Sequence, residues 1–224
     1  MMESMGPMVL GFPLEVFLML ASGVFYLLCA GFIWKPFREE NNELISALFA
    51  FLLYQAVSMF FMGIEMHTMN MIYGNLASLA VFIGSAYMLK FPFSSLSEST
   101  RKIAFYTSLA VVLAVFAWFV GSPEREMTLM HFILWYDIVI NGFVVGGFIL
   151  FLGVKATENW LKIKAIGGGT GVVTCCVAAN ASMLLGAIIV SSVFQFLAPL
   201  LILGSLTFAR KKQKEVLPSN QATA

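Results

Sequence analysis

The side chains able to do chemistry in this 224-residue chain are few, and they sit in unusual company. Gln55, Ser58, Met62 and Glu65 follow one another at steps of three, four and three within an apolar run. That spacing puts them on one face of a helix. Asn75, Ser78 and Ser85 form a comparable stripe in the next run, with Phe82 between them. Asp137 and Asn141 stand one helical turn apart further on, and Ser191, Ser192 and Gln195 cluster near the end. Polar groups in a lipid environment are costly unless they meet a partner or a water-filled cavity, so their positions are informative. Six of them, Gln55, Ser58, Asn75, Asp137, Asn141 and Gln195, are the candidate ligand-binding set, converging on a small polar pocket. Asp137 is the sharpest member. A carboxylate about two turns below the surface must be either protonated or partnered. For the serines, hydrogen bonding between packed helices is the plainer role.

A second constellation is softer. Met62, Glu65, Met66, His67, Met69 and Met71 crowd the end of one run, and His131 lies near Met127 and Met130. Thioether and imidazole ligands suit Cu(I), so Met66, His67, Met69 and His131 are the candidate metal set. No spacing motif enforces coordination. The chain shows no Ser/His/Asp order, no Cys/His pair with an orienting group and no cofactor fingerprint. Two histidines are too few for a four-ligand haem pair. The segment Gly167-Gly168-Gly169-Thr170-Gly171 lacks the Lys and Ser/Thr of a phosphate loop, and Gly167 and Gly171 read instead as a small-xxx-small step for close helix packing. Gly142, Gly146 and Gly147 read the same way. Catalysis is therefore not expected, and no cofactor is named.

The elements that must position these groups are set by composition. Hydrophobic residues make up 60% of the chain and charged residues 11%, and the mean hydropathy is +0.89. A soluble domain needs far more polar surface. A bilayer-spanning helix needs about 20 apolar residues. Seven such runs fall near 12–34, 43–64, 69–90, 102–121, 129–154, 164–184 and 187–209. The expected fold is all-α, a seven-transmembrane-helix bundle over 1–209 with a basic, then polar, tail over 210–224. The last 45 apolar residues, from Ala165 to Ala209, are too many for one span, and a turn is expected near Asn180, Ser182 and Gly186. The three cysteines, Cys29, Cys175 and Cys176, fall inside expected helices and read as buried small hydrophobes rather than a disulfide framework.

Charge gives the expected orientation. Of the thirteen Lys and Arg residues, all but Arg125 lie in alternate gaps or in the tail: Lys35 and Arg38; Lys90, Arg101 and Lys102; Lys155, Lys162 and Lys164; Arg210, Lys211, Lys212 and Lys214. Basic loops stay cytoplasmic, which places the N-terminus outside and the C-terminus inside, in a plasma or inner membrane. These charges are orientation signals and imply no nucleic-acid partner. A shift of 120 residues lays Lys35 on Lys155, Lys90 on Arg210 and Asn75 on Gln195, a 3+1+3 pseudo-repeat of the kind found in transporters.

The layout resembles that of microbial rhodopsins, but the last apolar run has no lysine on which a retinal Schiff base could form. The three-one-three order is similar to that of the SWEET sugar transporters, Asn75 and Gln195 matching their paired polar residues. Those transporters carry helix-kinking prolines in both repeats, and here only Pro199 lies well inside a helix. Three functions follow as expectations. The first is a non-enzymatic sensory or partner-binding module whose output passes through another membrane or cytoplasmic protein. The second is a transporter of a small solute or cation, and the third a protein that handles copper or another soft metal.

Overall fold

The structure, a computed structural model, describes residues 7–40, 42–120 and 131–221. Arg125, Met127 and Met130 lie outside the described residues. Among the described residues, seven helices are long and apolar enough to cross a membrane: α1 (Leu14–Glu40), α2 (Glu43–Thr68), α3 (Met71–Phe93), α4 (Glu98–Phe119), α5 (His131–Lys155), α6 (Asn159–Leu184) and α7 (Ile188–Gln221). The protein is a multi-pass, predominantly helical membrane protein.

Local chemistry ends the helices where polar residues interrupt the apolar runs. Asn42 caps α2, its side chain accepting from the Leu44 amide at 2.9 Å, and Asn70 caps α3 by accepting from the Ile72 amide at 3.0 Å. Each cap satisfies an amide that the first helical turn leaves without a partner. Between α2 and α3 the chain reverses through Met69, which takes a left-handed conformation (φ 55°). α6 ends at Leu184, and Gly186 (φ 75°) makes the reversal into α7. A residue without a Cβ adopts that conformation freely. The break expected around Asn180–Gly186 therefore exists, but it occupies 185–187. Asn180 itself is helical and buried. α7 continues as helix through the basic cluster to Gln221.

One small element had no counterpart in the sequence reading. Met8–Val9 (β1) and Phe12–Pro13 (β2) form a hairpin, paired Met8 with Pro13 and Val9 with Phe12, through a Leu10–Gly11 turn with both φ values positive. Such a turn matches the twist of a two-residue hairpin loop. It sits at the end of the bundle that also carries the α2–α3 and α6–α7 turns. This is called the hairpin end below, and the opposite end, where the lysines and arginines gather, the basic end.

Six helices close into a ring. α1 packs between α2 and α7, α2 against α3, α3 against α5, α5 against α6, and α6 against α7. Their shared core runs through Met19, Tyr26, Phe51, Met59, Val145, Cys176 and Ile202. α4 stands outside, leaning on α3 through Val112 and Phe116 against Phe82. Only 11% of its central apolar window is buried, against 28–44% for the other six. A peripheral α4 leaves the interior to the helices that carry the polar residues.

All three cysteines are free and buried. The small-residue positions lie at close helix contacts. A Cβ on Gly171 would stand 2.5 Å from Ile202 Cγ1, and one on Gly167 would collide with the Ser205 side chain, so α6 touches α7 nearly backbone to backbone. Gly142 and Gly146 face Val177 and Val173 across the α5–α6 contact, whereas Gly147 faces open space.

Candidate functional site

Two wide, π-helical stretches meet at the middle of the α5–α6 contact. α5 is π-helical from Asp137 to Gly146, and α6 from Thr174 to Ala179. A π turn bonds i to i+5 instead of i to i+4, is rare, and concentrates at functional sites. Here the glycines at 142 and 146 let the widened α5 approach α6, and Asp137, Asn141 and Asn180 are all buried at the junction.

Asp137 lies about 9 Å along the helix axis from His131, at 1.5 Å per residue, and is 4% exposed. Both carboxylate oxygens are engaged. Oδ1 accepts from Asn141 Nδ2 at 2.5 Å, and Oδ2 accepts from Asn180 Nδ2 at 2.6 Å. Asn180 Nδ2 also donates to the Cys176 carbonyl at 3.0 Å, and Asn141 Nδ2 to Ser85 Oγ at 2.5 Å. Ser85 in turn donates to the Val81 carbonyl at 2.7 Å. The carboxylate is thus tied to α3, α5 and α6 by neutral amides, while Asn141 Oδ1 is buried with no hydrogen-bond partner.

Beside this network lies a cavity of about 50 Å³, onto which Gln55, Ser58, Ser78, Asp137, Asn180 and Gln195 all open. That volume suits one or two waters or a small ion. No Lys, Arg or His lines it, so nothing cationic there compensates the carboxylate. Gln195 is held by the Cys175 thiol, whose Sγ donates to Gln195 Oε1 at 3.1 Å.

Of the six residues singled out from sequence, Gln55, Ser58, Asp137 and Gln195 line the cavity, and Asn141 reaches it through Asp137. Asn75 is half-buried on α3 and does not line it. Asn180 went unrecognised in the sequence because a lone Asn in an apolar stretch close to Gly186 reads as a turn. The signal was nonetheless present, since a polar amide deep in an apolar run is costly without a partner.

A larger hollow of about 430 Å³ lies at the hairpin end, between α1, α2, α6 and α7. Its walls include Glu15, Met19, Met62, Glu65, Met66 and Met69. Glu15 Oε2 is buried there without a hydrogen-bond partner. Met62 borders both this hollow and the inner cavity, so one thioether side chain stands between them. The metal candidates are divided. Met66 and Met69 line the hollow, His67 packs edge-on against Phe12 with ring centroids 5.4 Å apart, and His131 is exposed at the start of α5. No group of three or more His, Cys, Asp or Glu suited to a metal occurs among the described residues.

No protein-family model, curated protein or solved structure matches this chain.

Proposed function

We propose that this protein is a non-enzymatic membrane sensor or partner-binding module, whose small polar or cationic ligand binds at the cavity beside Asp137. The observation that carries this reading is a buried carboxylate held by neutral donors, the amides of Asn141 and Asn180 and the Cys176 thiol, and opening on a small void lined by no cationic side chain. An unpaired anion in such a setting attracts a proton, a small cation or an amine. Ligand contact would compete with the amides of Asn141 and Asn180. Because those amides stand on two π-helical stretches, a change in their bonding shifts the α5–α6 contact, and the helix ends pass the shift to another membrane or cytoplasmic protein. Access is from the hairpin end, past Met62, with Glu15 and Glu65 supplying negative charge on the way. From the basic gaps we infer that this end faces outside and the C-terminus the cytoplasm, in a plasma or inner membrane.

The test uses purified full-length protein and a panel of sodium, lithium, potassium and methylammonium, read by thermal unfolding. At least one probe should raise the wild-type midpoint and fail to do so in Asp137→Asn. Midpoints unmoved by every probe, or moved equally in both proteins, would reject the site.

Transport of a small solute or cation is the second reading. It is favoured by the outlying position of α4, which suits a linker between two three-helix halves. Flux into proteoliposomes that depends on Asp137 would select it over sensing. Handling of copper or another soft metal rests on the methionines of the outer hollow, and a silver titration of wild type against Met62→Ala/Met66→Ala would decide it.

A further inference from the structure

A different cavity lies at the basic end, between α1, α6 and α7. It measures about 280 Å³, and three cationic side chains from three helices converge on it: Lys35 from α1, Lys164 from α6 and Arg210 from α7. Orientation alone asks only that basic residues lie at this end of the bundle, not that they share one cleft. One carboxylate, Glu39, also lines it and stands 4.0 Å from Lys35 Nζ, so the formal lining charge is three cations less one anion. The Arg210 guanidinium lies over the Phe32 ring at 5.3 Å, which holds it in place beside the apolar wall. Trp160 completes the rim, a residue type suited to the headgroup level.

The cleft therefore combines a cationic lining with an apolar one supplied by Phe32, Ile33 and Leu206. We infer that it is a binding site for the headgroup of an anionic phospholipid. The phosphate would meet Lys164 and Arg210, and the acyl chains would leave along the apolar wall between α1 and α7. Basic pockets between transmembrane helices bind such headgroups. Arg210 offers a planar fork suited to two phosphate oxygens, and Lys164 a compact point charge. The site would join three helices at the end opposite the Asp137 cavity, independently of whether that cavity binds anything.

The experiment is native mass spectrometry of the detergent-purified full chain with dioleoyl phosphatidylglycerol or dioleoyl phosphatidylcholine. Wild type should retain the anionic phosphatidylglycerol at least about tenfold better than phosphatidylcholine. Each of Lys35→Gln, Lys164→Gln and Arg210→Gln should weaken retention by roughly fivefold, the effect of one basic group near an anionic headgroup. The single variants suffice if the triple variant does not fold. A control set at the same end, Lys102→Gln/Lys155→Gln/Lys162→Gln, should stay within about twofold of wild type. Equal retention of both lipids, or equal losses in the control set, would overturn the inference. So would displacement of the lipid by millimolar inorganic phosphate, which would mark a site for free phosphate.

Discussion

Replacing Asn180 with Leu removes the donor to Asp137 Oδ2, and replacing Asp137 with Leu removes the acceptor for both Asn141 and Asn180. The magnitudes follow from what each change leaves behind. Asn180→Leu removes the amide donor from one carboxylate oxygen and from the Cys176 carbonyl. A hydrogen bond to a charged group contributes about 1.5–3 kcal/mol in soluble proteins. Interhelical polar pairs in membranes average nearer 0.6 and reach about 1.7 kcal/mol, because the separated helices also find partners. The membrane figure is the better guide to the pair, and the stranded carboxylate adds desolvation, so a loss of about 2 kcal/mol is expected for Asn180→Leu. Asp137→Leu should lose a similar amount, since Asn141 keeps Ser85 and Asn180 keeps the Cys176 carbonyl. In the double variant neither partner is stranded by the other. Its loss should fall short of the sum by about 1–1.5 kcal/mol, a coupling typical of residues in one network. The void beside the pair leaves room for the small volume increase of Leu, which limits overpacking. Equilibrium unfolding in mixed micelles measures all four corners of the cycle. A coupling below about 0.3 kcal/mol, the additivity expected of independent sites, would refute the hydrogen-bonded link between α5 and α6.

Two further outcomes bear on packing and topology. Gly171→Ala should destabilise the protein by about 1–3 kcal/mol, because its Cβ would meet Ile202 at 2.5 Å and the Ala198 carbonyl at 3.0 Å. Gly168→Ala and Gly204→Ala, with nothing within 4 Å, should be neutral or gain up to about 1 kcal/mol from helix propensity. The same unfolding assay separates them, and equal effects at the three sites would count against close α6–α7 contact. A reporter fused after Ala224 should be inaccessible from outside intact cells, and exterior labelling would reverse the orientation drawn from the basic gaps.

Physical range explains which features could be read from sequence. Each helix is set by the length of its own apolar run, so seven spans were visible, with most ends displaced by a few residues and the last helix running twelve residues past its apolar run, to Gln221. Asp137 and Asn141 belong to one helix, and a spacing of four in sequence is a neighbour relation on its surface. Asn180 is different. Its meaning lies in a partner 43 residues away, and only the packing of α5 on α6 supplies that partner. The π-helical stretches were equally hidden, since a changed hydrogen-bond register leaves no pattern of residue types beyond glycines that also serve close packing. Asn75 and Gln195 matched under a 120-residue shift, yet Gln195 faces the cavity and Asn75 does not. The methionine and histidine cluster was dense in sequence, but helical rotation sends Met66 into the hollow and leaves His67 against Phe12.

The composition of the Asp137 site bears on why it exists. A buried polar network can often be replaced by apolar residues of similar volume with little loss, or with a gain, in stability. Holding a carboxylate with neutral donors is therefore not the most stable filling for the interior of a membrane bundle. Nor does the network supply a charge partner that would close the site electrostatically, because its donors are neutral and no basic residue lines the adjoining cavity. A carboxylate fully paired with arginine would have little affinity left for a visiting cation. One held by amides keeps most of its negative potential, and the two helices that position it touch through glycines and widened turns. Packing of that kind can shift when an amide loses its acceptor, which is how, under the proposed function, occupancy of the cavity would be linked to the relative position of α5 and α6.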